Sequence, residues 1–174
     1  MTTFVCIASG PSLTAAQVEY VRGKAAVIAV NDNYRLAPWA FHVYACDRSW
    51  WNHHAASVRQ TCTSRLWTKS KEAAEQHALN HVLLPGNNSG FQAIHLAHRL
   101  GASRIILIGY DMQHTGGKAH WFGNHPDGFR NADGVEKWRN AFNRLNHEIP
   151  VPIINCAIDT ALTCFPRTRL EDVL

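Results

Sequence analysis

Short, continuous apolar runs alternate along this chain with longer stretches whose apolar residues recur every three or four positions. Phe4–Ser9 is followed by Gly-Pro, Ala26–Val30 by Asn31-Asp32-Asn33, and Phe41–Cys46 by Asp47. The last clear run, Arg104–Gly109, carries Ile-Ile-Leu-Ile at its centre. Runs this short, without polar alternation, predict strands buried on both faces, as in a parallel sheet. Arg104–Gly109 is the strongest and is expected at the centre of the sheet. Arg65–Thr68 and His81–Leu84 are weaker strand candidates, and Val151–Asn155 reads as a last strand.

The segments between the runs read as helices. Thr14 is placed to cap a helix reaching Arg22, with Val18 and Val21 on one face. Arg48–Arg59 and the polar stretch Lys71–Ala78 predict two more. From Ser89, read as the cap, Phe91, Ile94, His95, Ala97 and His98 follow at helical spacing until Gly101 ends the helix. Val135–Glu148 reads as one helix. Gln113–Asp133 is a long loop rich in Gly, His and Asn, and loops of that length in compact domains are usually functional or mobile. Strand and helix in alternation predict an α/β fold, a three-layer sandwich around a mostly parallel sheet, with residues 1–174 forming one domain.

Composition narrows the picture without changing it. Apolar residues make up 46% and charged residues 17%, which fits a chain that buries a core and excludes a disordered one. A net charge of +4 slightly favours anionic ligands, but no dense Lys/Arg block supports nucleic acid as the partner. Five cysteines, an odd number without a Cys-x-x-Cys pair, point to free thiols, and Cys6, Cys46 and Cys156 fall inside apolar runs. The amino terminus lacks a signal peptide's basic flank, and no apolar run approaches the ~18 residues of a membrane span. The expectation is a soluble protein of a reducing cytoplasm, with no membrane partner.

Candidate chemistry gathers where strands end. Gly10 allows tight turning and close approach of a ligand, Pro11 removes an N–H, and Ser12 offers a hydroxyl beside the amides of the next helix. Asn31 and Asp47 end the next two strands and are candidates for a base, ribose or sugar hydroxyl, although Asx residues also serve as turn and helix caps. Asn88-Ser89-Gly90 repeats the logic of the first turn, and Gly109-Tyr110-Asp111 closes the strongest strand with an acid. That acid suits a ribose, a metal–phosphate, or the holding of a loop. Thr160, in a segment expected to close over the strand ends, is a further binding candidate.

The loop carries His114, His120 and His125, with Asp111 and Asp127 nearby. Their spacing is looser than that of zinc ligands, so no protein-held metal is expected. A single imidazole acting as general acid or base fits better, with His125 first and His120 second. Trp121 and Phe122 either stack on a base or pin the loop to the body. His53 and His54, beside Trp50 and Trp51, read as surface and packing residues.

Taken in order, these segments resemble the bacterial sialyltransferases that use CMP-sialic acid and have a single Rossmann-like domain. They also resemble pterin-pyrophosphokinase-like proteins, and most immediately small uncharacterised phage and prophage proteins. Gly10-Pro11-Ser12-Leu13, Val30-Asn31, the Asp47 turn, Ser89-Gly90, Leu100-Gly101, Ile108-Gly109-Tyr110-Asp111 and Gly123-Asn124-His125 carry the likeness. It implies a Rossmann-like nucleotide pocket lined by Gly10, Ser12, Asn31, Ser89, Gly90 and Asp111. It also implies a histidine base after the Gly-Tyr-Asp strand. The chain departs from the transferases in having too short a stretch from Asp111 to His125 for their lid, and no tyrosine there for the leaving phosphate.

Three functions follow as expectations. The first is a glycosyltransferase-like group transferase taking a nucleotide or nucleotide sugar and an acceptor. The second is an ATP-dependent diphosphotransferase of the pterin type, the one reading that calls for Mg²⁺, with Asp111 or Asp47 near the metal. None of the three turns holds the lysine that this reading would want. The third is a non-catalytic phage module that senses a nucleotide or docks in an assembly.

Overall fold

A computed structural model describes residues 2–124 and 134–174. Seven strands form one sheet: β1 (Thr3–Ile7), β2 (Ala26–Val30), β3 (His42–Tyr44), β4 (Arg65–Thr68), β5 (Asn80–His81), β6 (Arg104–Ile108) and β7 (Ile153–Asn155). Every pairing is parallel, in the order β5-β4-β3-β2-β1-β6-β7. The helices are α1 (Ala15–Tyr20), α2 (Arg48–Thr61), α3 (Lys71–His77), α4 (Ser89–Arg99), α5 (Val135–Phe142) and α6 (Leu145–Glu148).

The doubly apolar strands explain the layering. In β6, Ile105 and Leu107 join the core beneath α4, α5 and α6, while Ile106 and Ile108 join the core beneath α1, α2 and α3. Each core is anchored by large, fully buried side chains, Phe91, Tyr110 and Phe142 on one face and Trp51 on the other. The fold is a Rossmann-like three-layer α/β sandwich. No helix among the described residues is long and apolar enough to cross a membrane.

The helix starts follow the expected capping chemistry. Thr14 accepts from the Gln17 amide, Ser70 from Ala73 and Asn88 from Phe91. The last of these corrects one expectation, since Asn88 rather than Ser89 is the cap of α4. Three other expectations shift. Strand β5 stops at His81, because the Val82 amide makes the last ladder bond, to the Thr68 carbonyl, and Leu83 then turns outward at 71% exposure. The stretch 135–148 is two helices, because the Arg144 amide tightens onto the Ala141 carbonyl and brings Phe142 and Leu145 together into the core. Strand β6 is interior, between β1 and β7, but β2 is the middle strand.

Strand order places the site. β1 pairs with β2 on one side and β6 on the other; the chain reaches β2 through α1 and returns to β6 through α4, on opposite faces. Connections that diverge in this way leave a crevice beyond the carboxyl ends of the strands.

Candidate functional site

A cleft of about 570 Å³ occupies that crevice. The turn after β1 contributes Ser9 and Gly10, the end of β2 Asn31, the end of β3 Asp47, and the turn after β6 Gly109 and Asp111. Asn88, Ser89 and Gly90 at the amino end of α4 form one wall, with Ser49 and Trp50 of α2 beside them. Met112, His120 and Trp138 complete the lining. Most of the strand-end residues singled out from the sequence are therefore neighbours in space, although they are far apart along the chain.

Their side chains behave differently from expectation. Ser12 does not line the cleft. Its amide and hydroxyl both donate to the Asp111 carboxylate, at 2.7 and 2.8 Å, which ties the first turn to the end of β6. Tyr110 is fully buried, and its hydroxyl donates to the Gly90 carbonyl at 3.0 Å. Thr160 donates to the Tyr110 carbonyl at 2.7 Å and accepts from Leu162, so it holds a loop. Pro11 lies outside the lining. Ser89 lines the cleft, yet its hydroxyl accepts from the Cys46 amide and donates to the Cys46 sulfur, both at 3.1 Å. These small polar side chains are thus taken up by the protein's own groups.

Gly10 shows how tightly the first and last turns are joined. A Cβ on it would lie 2.3 Å from Asp111 Oδ1 and 2.5 Å from the Gly109 carbonyl oxygen. The glycine is required by the protein's own packing, whatever binds beyond it.

Asp111 is 1% exposed, and burial raises its carboxyl to about 6 despite the two Ser12 hydrogen bonds that favour the anion. Asp111→Ala should leave the Ser12 amide without its acceptor and be about 1–3 kcal/mol less stable in urea unfolding at pH 7 than Asp111→Asn, which is equally free of the buried charge. Asp111→Asn retains the shape and one acceptor, so it should be milder. A larger loss for Asn than for Ala would contradict this account of the turn.

The main chain also offers groups to a ligand. The first turn of α2 has no side-chain cap, because the exposed Asp47 makes no capping bond. In α4 the Asn88 side chain takes only the Phe91 amide. The amino ends of a 14-residue and an 11-residue helix thus border one cleft, with uncapped N–H groups and aligned dipoles. No Lys or Arg lines the cleft among the described residues.

The chain matches no family model, no curated protein and no solved structure. The site is therefore read from its own geometry. Among the described residues, two of the three non-glycine residues with positive φ, Asn31 at 51° and Met112 at 49°, line the cleft, and backbone strain of this kind clusters at functional sites. His120 is the histidine placed in the lining, and its ring stacks on Phe122 at 5.0 Å and 12°. His125, the first choice as base, and Asp127 lie outside the described residues. Among the described residues no three His, Cys, Asp or Glu side chains converge as metal ligands. Burial pushes the Cys46 thiol up to about 12, so it is no nucleophile.

Sequence reading missed several residues that shape the site. Asp32 and Asn33 are 3% and 0% exposed, although they sit in the polar triplet that follows the Ala26–Val30 run. Asp32 accepts from the Trp50 indole at 3.1 Å, which fixes one wall of the cleft. Trp138 and Met112 give the cleft an apolar side that no local motif announced.

Proposed function

We propose that the cleft binds a nucleotide-type ligand, and that the chain is a group transferase acting on a nucleotide-activated donor, glycosyltransferase-like in its chemistry. The observation that carries this reading is the convergence of two helix amino ends on one cleft at the strand ends. Free backbone amides with a helix dipole behind them suit a phosphate. With no Lys or Arg in the described lining, neutralisation falls to these amides and dipoles. The apolar side, with Met112 and Trp138, suits the flat face of a base. Asp47, exposed at the mouth, accepts from a sugar hydroxyl.

In the reaction an acceptor hydroxyl attacks the transferred group, the bond to the donor phosphate breaks, and the electron pair leaves with the phosphate. His120 takes the acceptor proton, and the amide dipoles stabilise the departing charge. Cleft walls that hold donor and acceptor together supply much of the rate.

Thermal unfolding against CMP, CDP, UDP, ADP, ATP, GTP and sugar nucleotides, with and without Mg²⁺, tests the reading. A nucleotide at ~100 times its Kd should stabilise the fold by about 2.7 kcal/mol. His120→Ala should retain that shift and lose about 10²–10⁴-fold in turnover. A response confined to ATP with Mg²⁺ would replace the proposal with a diphosphotransferase. Binding without turnover in the wild type would leave a sensor, and no response to any nucleotide would end the nucleotide reading.

A further inference from the structure

We propose that Asn33 and Trp121 are positioning residues that hold the turn carrying His120 against the rim of the cleft, an inference that rests on the reading of His120 as the base. Residues 120–123 form a tight turn, closed by the Gly123 amide donating to the His120 carbonyl at 3.0 Å. Trp121, its second residue, is attached to the body twice. Its amide donates to the Ser9 carbonyl at 3.1 Å, and its indole N–H donates to Asn33 Oδ1 at 2.9 Å. The Arg35 guanidinium lies over the indole, 5.6 Å from its centroid.

The surroundings of Asn33 decide which way its amide points. Nδ2 lies 3.0 Å from the Ile7 carbonyl, 2.7 Å from the Val30 carbonyl and 3.0 Å from the Ser9 hydroxyl. Two of these three are carbonyls that accept only, so flipping the amide would set oxygen against oxygen. Oδ1 must therefore face Trp121, at a site with 0% exposure. The ends of β1 and β2 in this way dictate where the loop turns. His120 directly precedes Trp121, and its ring rests on Phe122 two residues on, so the turn fixes both its backbone and its imidazole.

Neither Asn33 nor Trp121 lines the cleft. Removing their bond therefore leaves the lining intact and changes only where it is held. A displacement of about 1 Å at a reacting group costs on the order of 10²-fold in rate.

Trp121→Phe, which keeps a ring and deletes the N–H, tests the proposal in two independent ways. Without any nucleotide, amide exchange across residues 113–124 should speed up by about tenfold while the amides of β1, β2 and β6 keep their protection. With UDP-glucose and CMP-sialic acid as probes, kcat for donor hydrolysis should fall by about tenfold or more with KM nearly unchanged. In a His120→Ala background the same substitution should change kcat by less than about twofold, because the effect passes through His120. An equal loss of kcat in both backgrounds would overturn the positioning role, and so would unchanged exchange in the loop. A wild type that neither binds nor hydrolyses a nucleotide would overturn the transferase reading, and the exchange measurement alone would then decide the anchoring of the turn.

Discussion

Gly109→Ala is expected to destabilise the chain by about 3–5 kcal/mol, the sum of backbone strain and overpacking, which is enough to unfold a marginal domain. Gly109 has φ of +69°, where a side chain is disfavoured, and a Cβ would lie 2.2 Å from the Ala8 carbonyl oxygen and 3.2 Å from Leu13 Cβ. Neither obstacle can move cheaply. The Ala8 amide is bonded to the Ile108 carbonyl, and the Gly10 amide to the Gly109 carbonyl at 2.8 Å, so the two turns are locked backbone to backbone. Gly116 provides the control: its φ is +59°, but a Cβ there meets nothing within 4 Å. Gly116→Ala should cost only about 1 kcal/mol, from strain alone. Urea midpoints followed by circular dichroism would separate the two variants, and equal losses would refute the interlocked-turn account.

Acid should weaken the fold through His42, with a loss of about 3 kcal/mol from this one residue. His42 is 8% exposed on β3, stacked on Phe4, and its Nδ1 accepts the Trp67 indole N–H at 3.1 Å. Burial, with Arg65 adding to it, lowers the imidazole from 6.5 to about 4. The unfolded chain therefore takes up a proton before the folded one does. Stability from this source is complete above pH 6.5 and is lost as the pH falls toward 4. Asp111 works in the opposite sense, since its carboxyl is raised from 3.8 to about 6. Its burial costs stability above pH 6, and that cost fades as the pH falls to 3.8. Between pH 6 and 4 the two nearly cancel. Asp111→Asn should expose the loss, giving a Tm that drops more steeply over that interval than in the wild type. His42→Phe should instead give a Tm that holds or rises there. Parallel curves for all three proteins would show that neither group is linked to folding.

Much of the fold was legible because periodicity reports burial directly. Ala26–Val30 and Arg65–Thr68 are strands with the bounds the pattern suggested, and Thr14 caps α1 through its side chain as expected. The pattern was weakest where an element depends on a partner: β5 has two residues, both exposed, and exists only as the edge neighbour of β4. The site was legible as a set of positions and not as a set of roles. Gly10, Asn31, Asp47, Asn88 to Gly90, Gly109, Asp111 and His120 do meet at one cleft. That Ser12 serves Asp111, Ser89 serves Cys46 and Thr160 serves Tyr110 depends on contacts between residues 43 to 99 positions apart.

The sequence by itself determined the alternation of buried strand and amphipathic helix, the Thr14 cap, and the glycines that mark the turns, because these are local consequences of side-chain shape, hydration and backbone freedom. Only the tertiary structure decided which polar groups face a ligand and which are taken up inside the rim. A hydroxyl or amide has the same chemistry in either place, and its role is set by the acceptor or donor that strand order brings within 3 Å of it. For Asn33 the strand ends of β1 and β2 provide those partners, and through them the position of Trp121 and His120.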